Sequence, residues 1–380
     1  MPDTLDHDLA RLDPQLRTQL RDFGVDEARL EAWAADLLHA GPDANRVTGA
    51  VTAPEPGDIG ELPEPGSEEH RRLERAGLAA LARGELAMVV LAGGMATRMG
   101  GVVKALVDAL PGVTFLDARL AEREHWQSVS GANLPMWLMT SHATDRPIRE
   151  ALGGRLDGDA LATFRQGVSL RLTPAGGLFL EDDGTPSVHA TGHGDLPDAL
   201  RASGLLHRFV QRGGRYIWIM NLDNLGAAVD PVLLGWHISS GASLTVEVVD
   251  KAGDVGGIPA RLNCRPVVLE DFRLPAGFDR DRVPYFNTNT FIADASALDA
   301  LDADWSWFRV EKTVDGRPAV QFERLVGELT SWLDSRFVLV PREGAASRFL
   351  PAKSWDELER SRSQIAARLE PFLAPHRDAS

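Results

Sequence analysis

The chain has 380 residues, a formal net charge of -15 and a hydrophobic content of 44%, enough for one large domain with a substantial core. The acidic balance argues against nucleic acid and against an anionic membrane as partners, since both reward basic surfaces. The sequence contains no bilayer-spanning apolar run and no signal-like N-terminus. Its single cysteine, Cys264, excludes an internal disulfide, and we therefore expect a cytoplasmic protein.

Residues 1–80 are predicted to form a helical collar followed by a connector. Leucines recur at helical spacing near the N-terminus, at Leu5, Leu9, Leu12 and Leu16. The Pro- and Gly-rich residues 53–66 predict an extended, semi-rigid connector, and a charged helix is expected over residues 67–84. We expect this part of the chain to be structural.

A glycine-rich loop follows a short apolar run at residues 88–92, which is typical of a buried strand. Glycine pairs at 93–94 and 100–101 allow the backbone to approach a ligand, and Arg98 and Lys104 add positive charge. The loop is therefore predicted to bind phosphate. It fits neither a Walker A motif nor a dinucleotide fingerprint. The alternative is a turn that only connects a strand to a helix, but two cations and two glycine pairs rarely serve one turn.

Further along the chain, strand-like and helix-like stretches alternate, which predicts an α/β fold with a largely parallel sheet. Apolar runs at residues 134–139, 216–220 and 244–249 are predicted strands. Asp223 follows the second of these runs, so its carboxylate should reach the crevice where such sheets bind ligands. A carboxylate there is a suitable Mg²⁺ ligand, although Asp-Asn after a strand can also be a turn or a helix cap.

Residues 88–104 resemble the L-x-G-G-x-x-T-x-x-G signature, followed by a lysine, of the sugar-nucleotide pyrophosphorylases. The closer resemblance is to the UTP–glucose-1-phosphate uridylyltransferase family, in its compact bacterial form, over roughly residues 85–360. Further matching motifs are T-G-H-G-D at 191–195, N-L-D-N-L-G-A-A-V-D at 221–230, F-N-T-N at 286–289 and R-F-L-P-A-K at 348–353.

The resemblance implies a Rossmann-like, GT-A-type nucleotidyltransferase fold with a central mixed, mostly parallel sheet. The catalytic core would cover residues 81–340. A short C-terminal segment over residues 341–380 would carry a phosphate-binding lysine, with no room for the β-helix domain of eukaryotic members. Residues 321–326 resemble a helix of the family that carries a Gln-x-Glu pair.

The resemblance also implies the residues of the site. Nucleotide-binding residues would be Leu91, Ala92, Gly93, Gly94, Thr97, Gln166 and Gly192. An amide such as that of Gln166 offers both a donor and an acceptor to the edge of uracil. Sugar-phosphate-binding residues would be His193, Lys251, Gly257 and one or both of Asn287 and Asn289. Catalytic residues would be Arg98, Lys104, Lys353 and Asp223, with Mg²⁺ held by Asp223.

The implied reaction transfers a uridylyl group from UTP to a hexose-1-phosphate, glucose-1-phosphate being favoured, and releases pyrophosphate. Related enzymes for N-acetylated hexosamines tend to have G-N-G-G where this chain has G-H-G-D, so the sequence favours a plain hexose. Asn263 and Cys264 depart from the family pattern, which is expected to affect the sugar side. Alternatives are another nucleotide, a cyclitol phosphate, or a catalytically silent nucleotide-binding regulator. We expect a monomer or a small homo-oligomer.

Overall fold

The computed structural model describes residues 3–39, 41 and 43–374. The α-helices in this part are α1 (Asp3–Ala10), α2 (Pro14–Asp22), α3 (Glu27–His39), α4 (Glu68–Ala82), α5 (Phe115–Ser130), α6 (Asp145–Leu152), α7 (Leu196–Ala202), α8 (Leu205–Gln211), α9 (Pro231–Ser240), α10 (Ala295–Asp299), α11 (Leu329–Trp332) and α12 (Trp355–Leu373). No helix in the described ranges is both long and apolar enough to cross a bilayer.

The strands are β1 (Val51–Thr52), β2 (Ile59–Glu61), β3 (Leu86–Leu91), β4 (Met95–Ala96), β5 (Val102–Val103), β6 (Asp108–Leu110), β7 (Val113–Thr114), β8 (Met136–Thr140), β9 (Leu161–Arg165), β10 (Val168–Leu170), β11 (Val188–Ala190), β12 (Tyr216–Asn221), β13 (Leu244–Asp250), β14 (Ile258–Leu262), β15 (Arg265–Leu269), β16 (Tyr285–Asp294), β17 (Phe308–Val314), β18 (Arg317–Glu323) and β19 (Ser335–Leu339).

Eight of these strands form the main sheet, in the order β2-β19-β13-β16-β12-β3-β8-β9. Strand β16 is antiparallel to both of its neighbours, and every other pairing in the sheet is parallel. The predicted α/β fold with a central mixed, mostly parallel sheet is therefore confirmed. The strands predicted from apolar runs are all present. A strand that helices cover on both faces buries nearly every side chain, and a continuous apolar run therefore identifies it.

Helices cover both faces of the main sheet and divide the core into two layers. Alternate residues of β3 point to opposite faces: Met88 and Val90 pack with α4, α5, α9 and α12, whereas Val89 packs with α7, α8 and α10. The loops that leave the carboxyl ends of the seven parallel strands thus have a rigid support.

The N-terminal helices pack outside the main sheet, where they cover the small strands β10 and β18. Trp33 of α3 stacks on Phe322 of β18, with ring centroids 4.5 Å apart. The predicted connector contributes β2 to the edge of the main sheet, where Ile59 pairs with Phe337. The described residues among the first 80 therefore belong to the packed body of the molecule, and their division into collar and connector stays a prediction.

One predicted element is wrong. Residues 321–326 were expected to be helical, but Gln321 and Phe322 lie in β18, which pairs with β17 over seven residues. The residues from Arg317 onward pair with β17, and Val320 and Phe322 are buried against α1–α3 and β10. The helix was expected from the family resemblance alone, and a seven-residue ladder with buried side chains stabilises a strand here instead.

Helices α4 and α9 cross at a pair of glycines. A Cβ atom added at Gly77 would lie 1.9 Å from the carbonyl oxygen of Pro231, and one added at Gly235 would lie 1.9 Å from that of Leu73. The neighbours on both sides are backbone atoms, which cannot move aside as a flexible side chain could. These glycines therefore set the distance between the two helices.

We predict that Gly77→Ala lowers the free energy of unfolding by about 1–3 kcal/mol, because overpacking a close backbone contact forces the helices apart. Gly154→Ala is the matched control, since a Cβ there would meet no atom within 4 Å. Urea denaturation of the three proteins measures the difference. Equal midpoints for Gly77→Ala and wild type would contradict the tight crossing.

Candidate functional site

A cavity of about 770 Å³ opens at the carboxyl edge of the main sheet. It is lined by the ends of β3, β8, β9 and β12 and by the segments that follow them, and a smaller cavity of about 210 Å³ continues towards β16. His193, Asn221 and Asp223 line both cavities. This is the edge at which parallel α/β sheets bind ligands. Nine predicted site residues line the two cavities, in addition to His193, Asp223 and, at the mouth of the smaller cavity, Lys353: Leu91, Gly93, Gly94, Lys104, Gln166, Gly192, Gly257, Asn287 and Asn289.

The glycine-rich loop and Gln166 form one wall of the larger cavity. A Cβ added at Gly93 would lie 2.2 Å from Nε2 of Gln166, so a larger residue there would displace this side chain. Oε1 of Gln166 is buried and has no hydrogen-bond partner among the described residues. A buried unpaired acceptor costs about 1–3 kcal/mol, so this oxygen is suited to a ligand N–H or O–H donor. Ala92, another predicted residue, is buried behind the loop.

The G-H-G-D loop is fixed by the carboxylate of Asp195. That carboxylate accepts hydrogen bonds from the backbone N–H of Gly167, at 2.8 Å, and from Nε of Arg324, at 2.6 Å. Gly192 has a φ of +95°, and a Cβ at this position would lie 2.5 Å from the carbonyl oxygen of Arg324. Asp195 and Arg324 thus hold Gly192 and His193 against the cavities.

His193 is held as a neutral hydrogen-bond donor. Its Nδ1 accepts a hydrogen bond of 2.9 Å from the backbone N–H of Val326, so the hydrogen of the neutral ring must sit on Nε2. Burial of the ring lowers the pKa of His193 to about 4. At neutral pH this side chain therefore offers an N–H group to a ligand, and no positive charge.

Asp223 and Lys104 form an ion pair across the larger cavity, joining the end of β12 to the glycine-rich loop. Both side chains are mostly buried. The neighbouring residue Asn224 lines the smaller cavity, and its side-chain amide is already bonded: its Oδ1 accepts from the backbone N–H of Leu350 at 2.8 Å, and its Nδ2 donates to the carbonyl of Arg348 at 3.1 Å. Asn224 thereby ties the segment after β12 to the segment that carries Lys353.

The donor set at Asp223 fits a Mg²⁺ ion that takes most of its ligands from substrate. The described residues contain no group of three His, Cys, Asp or Glu side chains able to cage a metal. One oxygen of Asp223 pairs with Lys104, and the other accepts no hydrogen bond from a described residue. Mg²⁺ is commonly held by one or two carboxylates together with substrate phosphates, which is the mode that a single carboxylate can serve.

The smaller cavity is lined by amide and carboxyl groups. Nδ2 of Asn289 donates to Oδ1 of Asn221 at 2.9 Å, and the backbone N–H of Asn289 donates to Oδ1 of Asn287 at 3.0 Å. Asn289 adopts a left-handed φ of +59°, next to a bulge in the pairing of β13 and β16. Nδ2 of Asn287 has no partner among the described residues, which leaves it as a donor towards the cavity.

Glu270 is the acidic group of the smaller cavity, and the sequence did not predict it. Its Oε1 would lie 2.8 Å from a Cβ added at Gly257, so the carboxyl group rests directly on this glycine. Burial raises the pKa of Glu270 to about 7, against the opposing charge of Arg273. The cavity thus contains a carboxyl group that can accept or donate a hydrogen bond near neutral pH.

The remaining predicted residues lie away from the cavity walls or at their rim. Arg98 is exposed on the glycine-rich loop, and Lys353 is exposed at the mouth of the smaller cavity. Nζ of Lys251 donates to the carbonyl oxygen of Arg280 at 3.2 Å. The side chain of Thr97 lies outside the described residues. The roles assigned to these four residues, like those assigned to every predicted site residue, stay predictions.

Asn263 and Cys264 were expected to affect the sugar side of the site. This prediction is wrong, because the two residues lie elsewhere. The two residues form the turn between β14 and β15, and the backbone of Asn263 bonds to the carbonyl of Ala50 at 2.9 Å. Gly257 and Glu270 stand at the opposite end of this hairpin. The departure in sequence therefore changes a surface turn, because the two strands carry it away from the cavity.

Basic side chains from the segment after β10 and from β17 also line the larger cavity, and sequence reasoning missed them. Arg171 donates to Oε1 of Gln321 and to Oγ of Ser187, each at 2.9 Å, and Lys312 lines the cavity from β17. Burial lowers the pKa of His142, and it lowers that of His189 to about 4. These residues come from separate segments that only the fold brings together.

The sequence model of UTP–glucose-1-phosphate uridylyltransferase matches residues 58–377. The chain belongs to this family. It is 29% identical over 310 residues to the UTP–glucose-1-phosphate uridylyltransferase of Musa acuminata, which covers 76% of this chain and 65% of that protein. It is 28% identical over 312 residues to that of Encephalitozoon cuniculi, covering 78% and 60%. The chain thus spans about three fifths of the length of these eukaryotic relatives, and its bacterial form stays a prediction.

Solved structures with the same fold include enzymes that are named for two different sugars. The UDP-glucose phosphorylase of Trypanosoma brucei superposes with a TM-score of 0.71 at 23% identity, covering 91% of this chain and 77% of that one. The UDP-N-acetylglucosamine pyrophosphorylase of the same organism gives 0.72 at 19% identity, covering 95% and 81%. The predicted nucleotidyltransferase fold is confirmed. Because both scores are nearly equal, the fold does not choose between the two sugars.

We predict that Glu270 makes the stability of the protein depend on pH. Its pKa in the folded protein lies above the ordinary value of 4.5, so folding favours the protonated form. The contribution of Glu270 to the free energy of unfolding is therefore fully present below pH 4.5. It is lost as the pH rises through 7. Each unit between the two pKa values corresponds to about 1.4 kcal/mol. The free energy of unfolding therefore falls by roughly 3 kcal/mol in total.

Denaturant unfolding of wild type and Glu270→Gln from pH 4 to pH 8 checks this effect. The free energy of unfolding of wild type, minus that of the variant, should decrease across this interval. Parallel pH curves for the two proteins would show that the carboxyl group of Glu270 is solvated in the folded state.

Proposed function

We propose that this protein transfers a uridylyl group from UTP to a hexose-1-phosphate, with glucose-1-phosphate as the favoured acceptor, and releases pyrophosphate. Family membership supports this proposal. The observation that carries it is the larger cavity, in which the glycine-rich loop, the unpaired oxygen of Gln166 and the carboxylate of Asp223 face one ligand-sized space. The enzyme would act in the cytoplasm, as a monomer or a small homo-oligomer, without nucleic acid or membrane as partner.

The nucleophile of this reaction needs no general base. A phosphate monoester has a second pKa of about 6 and is largely dianionic at neutral pH. The obstacle is the approach of two anions and the charge that grows on the leaving pyrophosphate. Lys104 lines the larger cavity and Lys353 the smaller one, and with the exposed Arg98 of the glycine-rich loop they would bind and orient the phosphates.

Asp223 would hold the Mg²⁺ ion, which neutralises phosphate charge when it is bound. Lys104 already pairs with the same carboxylate, so the lysine and the aspartate can orient each other at the point where phosphates enter. Fixed positive charge inside a low-dielectric cavity stabilises developing negative charge more strongly than it does in water.

On the sugar side, we propose neutral hydrogen bonding as the basis of recognition. His193 supplies an N–H donor, Asn287 an amide, and Glu270 a carboxyl group that can act as donor or acceptor. Such groups suit the hydroxyls of a hexose. An acetamido group would bring a further donor and acceptor that need partners on burial, so we expect N-acetylglucosamine-1-phosphate to be a poor acceptor.

Pyrophosphate release with a panel of nucleoside triphosphates and sugar phosphates tests the proposal. UTP with glucose-1-phosphate and Mg²⁺ should give the highest kcat/KM, and N-acetylglucosamine-1-phosphate a value lower by at least about tenfold. Preference for another nucleotide or a cyclitol phosphate would change the substrate. No release from any pair would instead favour a nucleotide-binding regulator.

We predict that Asp223→Asn lowers kcat by about a hundredfold or more, because the amide keeps the shape of the side chain but lacks the charge that holds the metal. Asp250→Asn is the control: Asp250 ends the nearby strand β13 and its side chain is exposed. Rates measured over a range of Mg²⁺ concentrations, with circular dichroism to confirm folding, decide the matter. A folded Asp223→Asn protein with the wild-type rate at limiting Mg²⁺ would locate the metal elsewhere.

A further inference from the structure

The backbone of residues 221–230, named here the Asp223 loop, is held by arginines from three different segments, of which Arg119 and Arg348 are buried. Arg119 of α5 donates to the carbonyl oxygens of Asn221 and Asn224. Arg348 donates to the carbonyl of Ala228 at 2.8 Å, and Arg368 of α12 to that of Gly226 at 3.3 Å. Such a loop is irregular, and these guanidinium groups supply the partners that its carbonyl groups would otherwise lack.

Arg119 bonds to the two carbonyl groups that flank Asp223. Its Nη2 lies 3.1 Å from the carbonyl oxygen of Asn221 and 2.6 Å from that of Asn224, which are two residues before and one residue after the aspartate. The side chain of Arg119 is 1% exposed and contacts neither cavity. Its effect on a ligand must therefore pass through the backbone of the Asp223 loop.

The charge of Arg119 is balanced one turn further along α5. Its Nη1 donates to Oε2 of Glu122 at 2.7 Å, and the other oxygen of Glu122 accepts from the backbone N–H of Val229 at 2.7 Å. The ion pair therefore bonds to the Asp223 loop at both ends. A buried pair of this kind gives little net stability, because desolvating two charges offsets their attraction. Stability alone is a weak reason for it to stand here.

We propose that Arg119 is a positioning residue that fixes the backbone on both sides of Asp223, so that the carboxylate is oriented for a Mg²⁺–nucleotide complex. This inference rests on the proposed function. Some groups orient a metal ligand without contacting the metal themselves. Their removal typically changes the metal affinity by 10- to 100-fold. Arg119 also differs from the predicted site residues, since it lies in a helix and belongs to none of the motifs.

The experiment measures UTP binding by titration calorimetry, once with Mg²⁺ and once with EDTA, and takes the ratio of the two affinities. The variant is Arg119→Met with Glu122→Gln, which removes both charges together and keeps an acceptor for the N–H of Val229. We expect the ratio to fall by about tenfold or more, while the affinity in EDTA stays close to that of wild type. For Glu122→Gln alone, the ratio of the two affinities should stay close to that of wild type.

Arg123→Met is the matched control. Arg123 lies one turn along the same helix, and its Nε donates to the carbonyl oxygen of Leu134, away from the Asp223 loop. It should lower thermal stability without changing the ratio. A folded Arg119→Met/Glu122→Gln protein with the wild-type ratio would overturn the inference, as would an equal fall in Arg123→Met.

If the double variant does not fold, Arg119→Lys decides the question. A lysine retains the charge opposite Glu122, but its compact ammonium cannot reproduce the planar fork of donors. We expect a folded protein whose ratio is lowered by about threefold, and an unchanged ratio would overturn the inference. Wild-type protein that binds UTP equally with and without Mg²⁺ would overturn the metal role of Asp223 and, with it, this inference, before any substitution is made.

Discussion

The buried ion pair between Arg348 and Glu247 connects the C-terminal part of the site to the centre of the main sheet. Nε and Nη2 of Arg348 each lie 2.7 Å from the carboxylate of Glu247, and both side chains are almost completely buried. Glu247 belongs to β13, whereas Arg348 precedes Lys353 by five residues. Removing one member of such a pair leaves an uncompensated charge, at a cost of about 3–5 kcal/mol. The segment that carries Lys353 therefore cannot leave the sheet without a large loss of stability.

The same pair also explains how distant segments of the chain meet at one site. Arg348 bonds to the carbonyl of Ala228, and Asn224 bonds to the backbone of Arg348 and Leu350. The segment after β12 and the segment after β19 thus behave as one unit. A protein of net charge -15 must bind an anion through local groups, and this unit places Asp223 and Lys353 beside the cavities without relying on the overall field.

The sequence predicted the parts of the fold that depend on continuous apolar runs. Strands β3, β8, β12 and β13 were recognisable because burial on both faces leaves few polar side chains. Strand β2 was not, since its residues lie in a Pro- and Gly-rich stretch, and its place in the sheet depends on pairing with β19, almost 280 residues away. Residues 321–326 were misread because the family resemblance implied a helix there, whereas Gln321 and Phe322 belong to a strand that pairs with β17.

The residues of the site divide in the same way, into those that the sequence predicted and those that it did not. Residues in short motifs, such as Gly93 and Gly192, were found because their neighbours in sequence form recognisable glycine-rich patterns. Arg171, Glu270 and Arg119 were missed, since each lies in an ordinary strand, loop or helix and gains its place only through folding. The error over Asn263 arose because sequence distance from Gly257 says nothing about the direction in which a hairpin leads.

That hairpin has a practical consequence. Strands β14 and β15 run from Gly257 and Glu270, at the wall of the smaller cavity, to an exposed turn that contains Cys264, the single cysteine of the chain. A thiol-reactive fluorophore can therefore be attached at one defined point, at the far end of a hairpin whose other end lines the smaller cavity. Its emission would report movements of the cavity wall in the native sequence, with no engineered residue and no label inside the site.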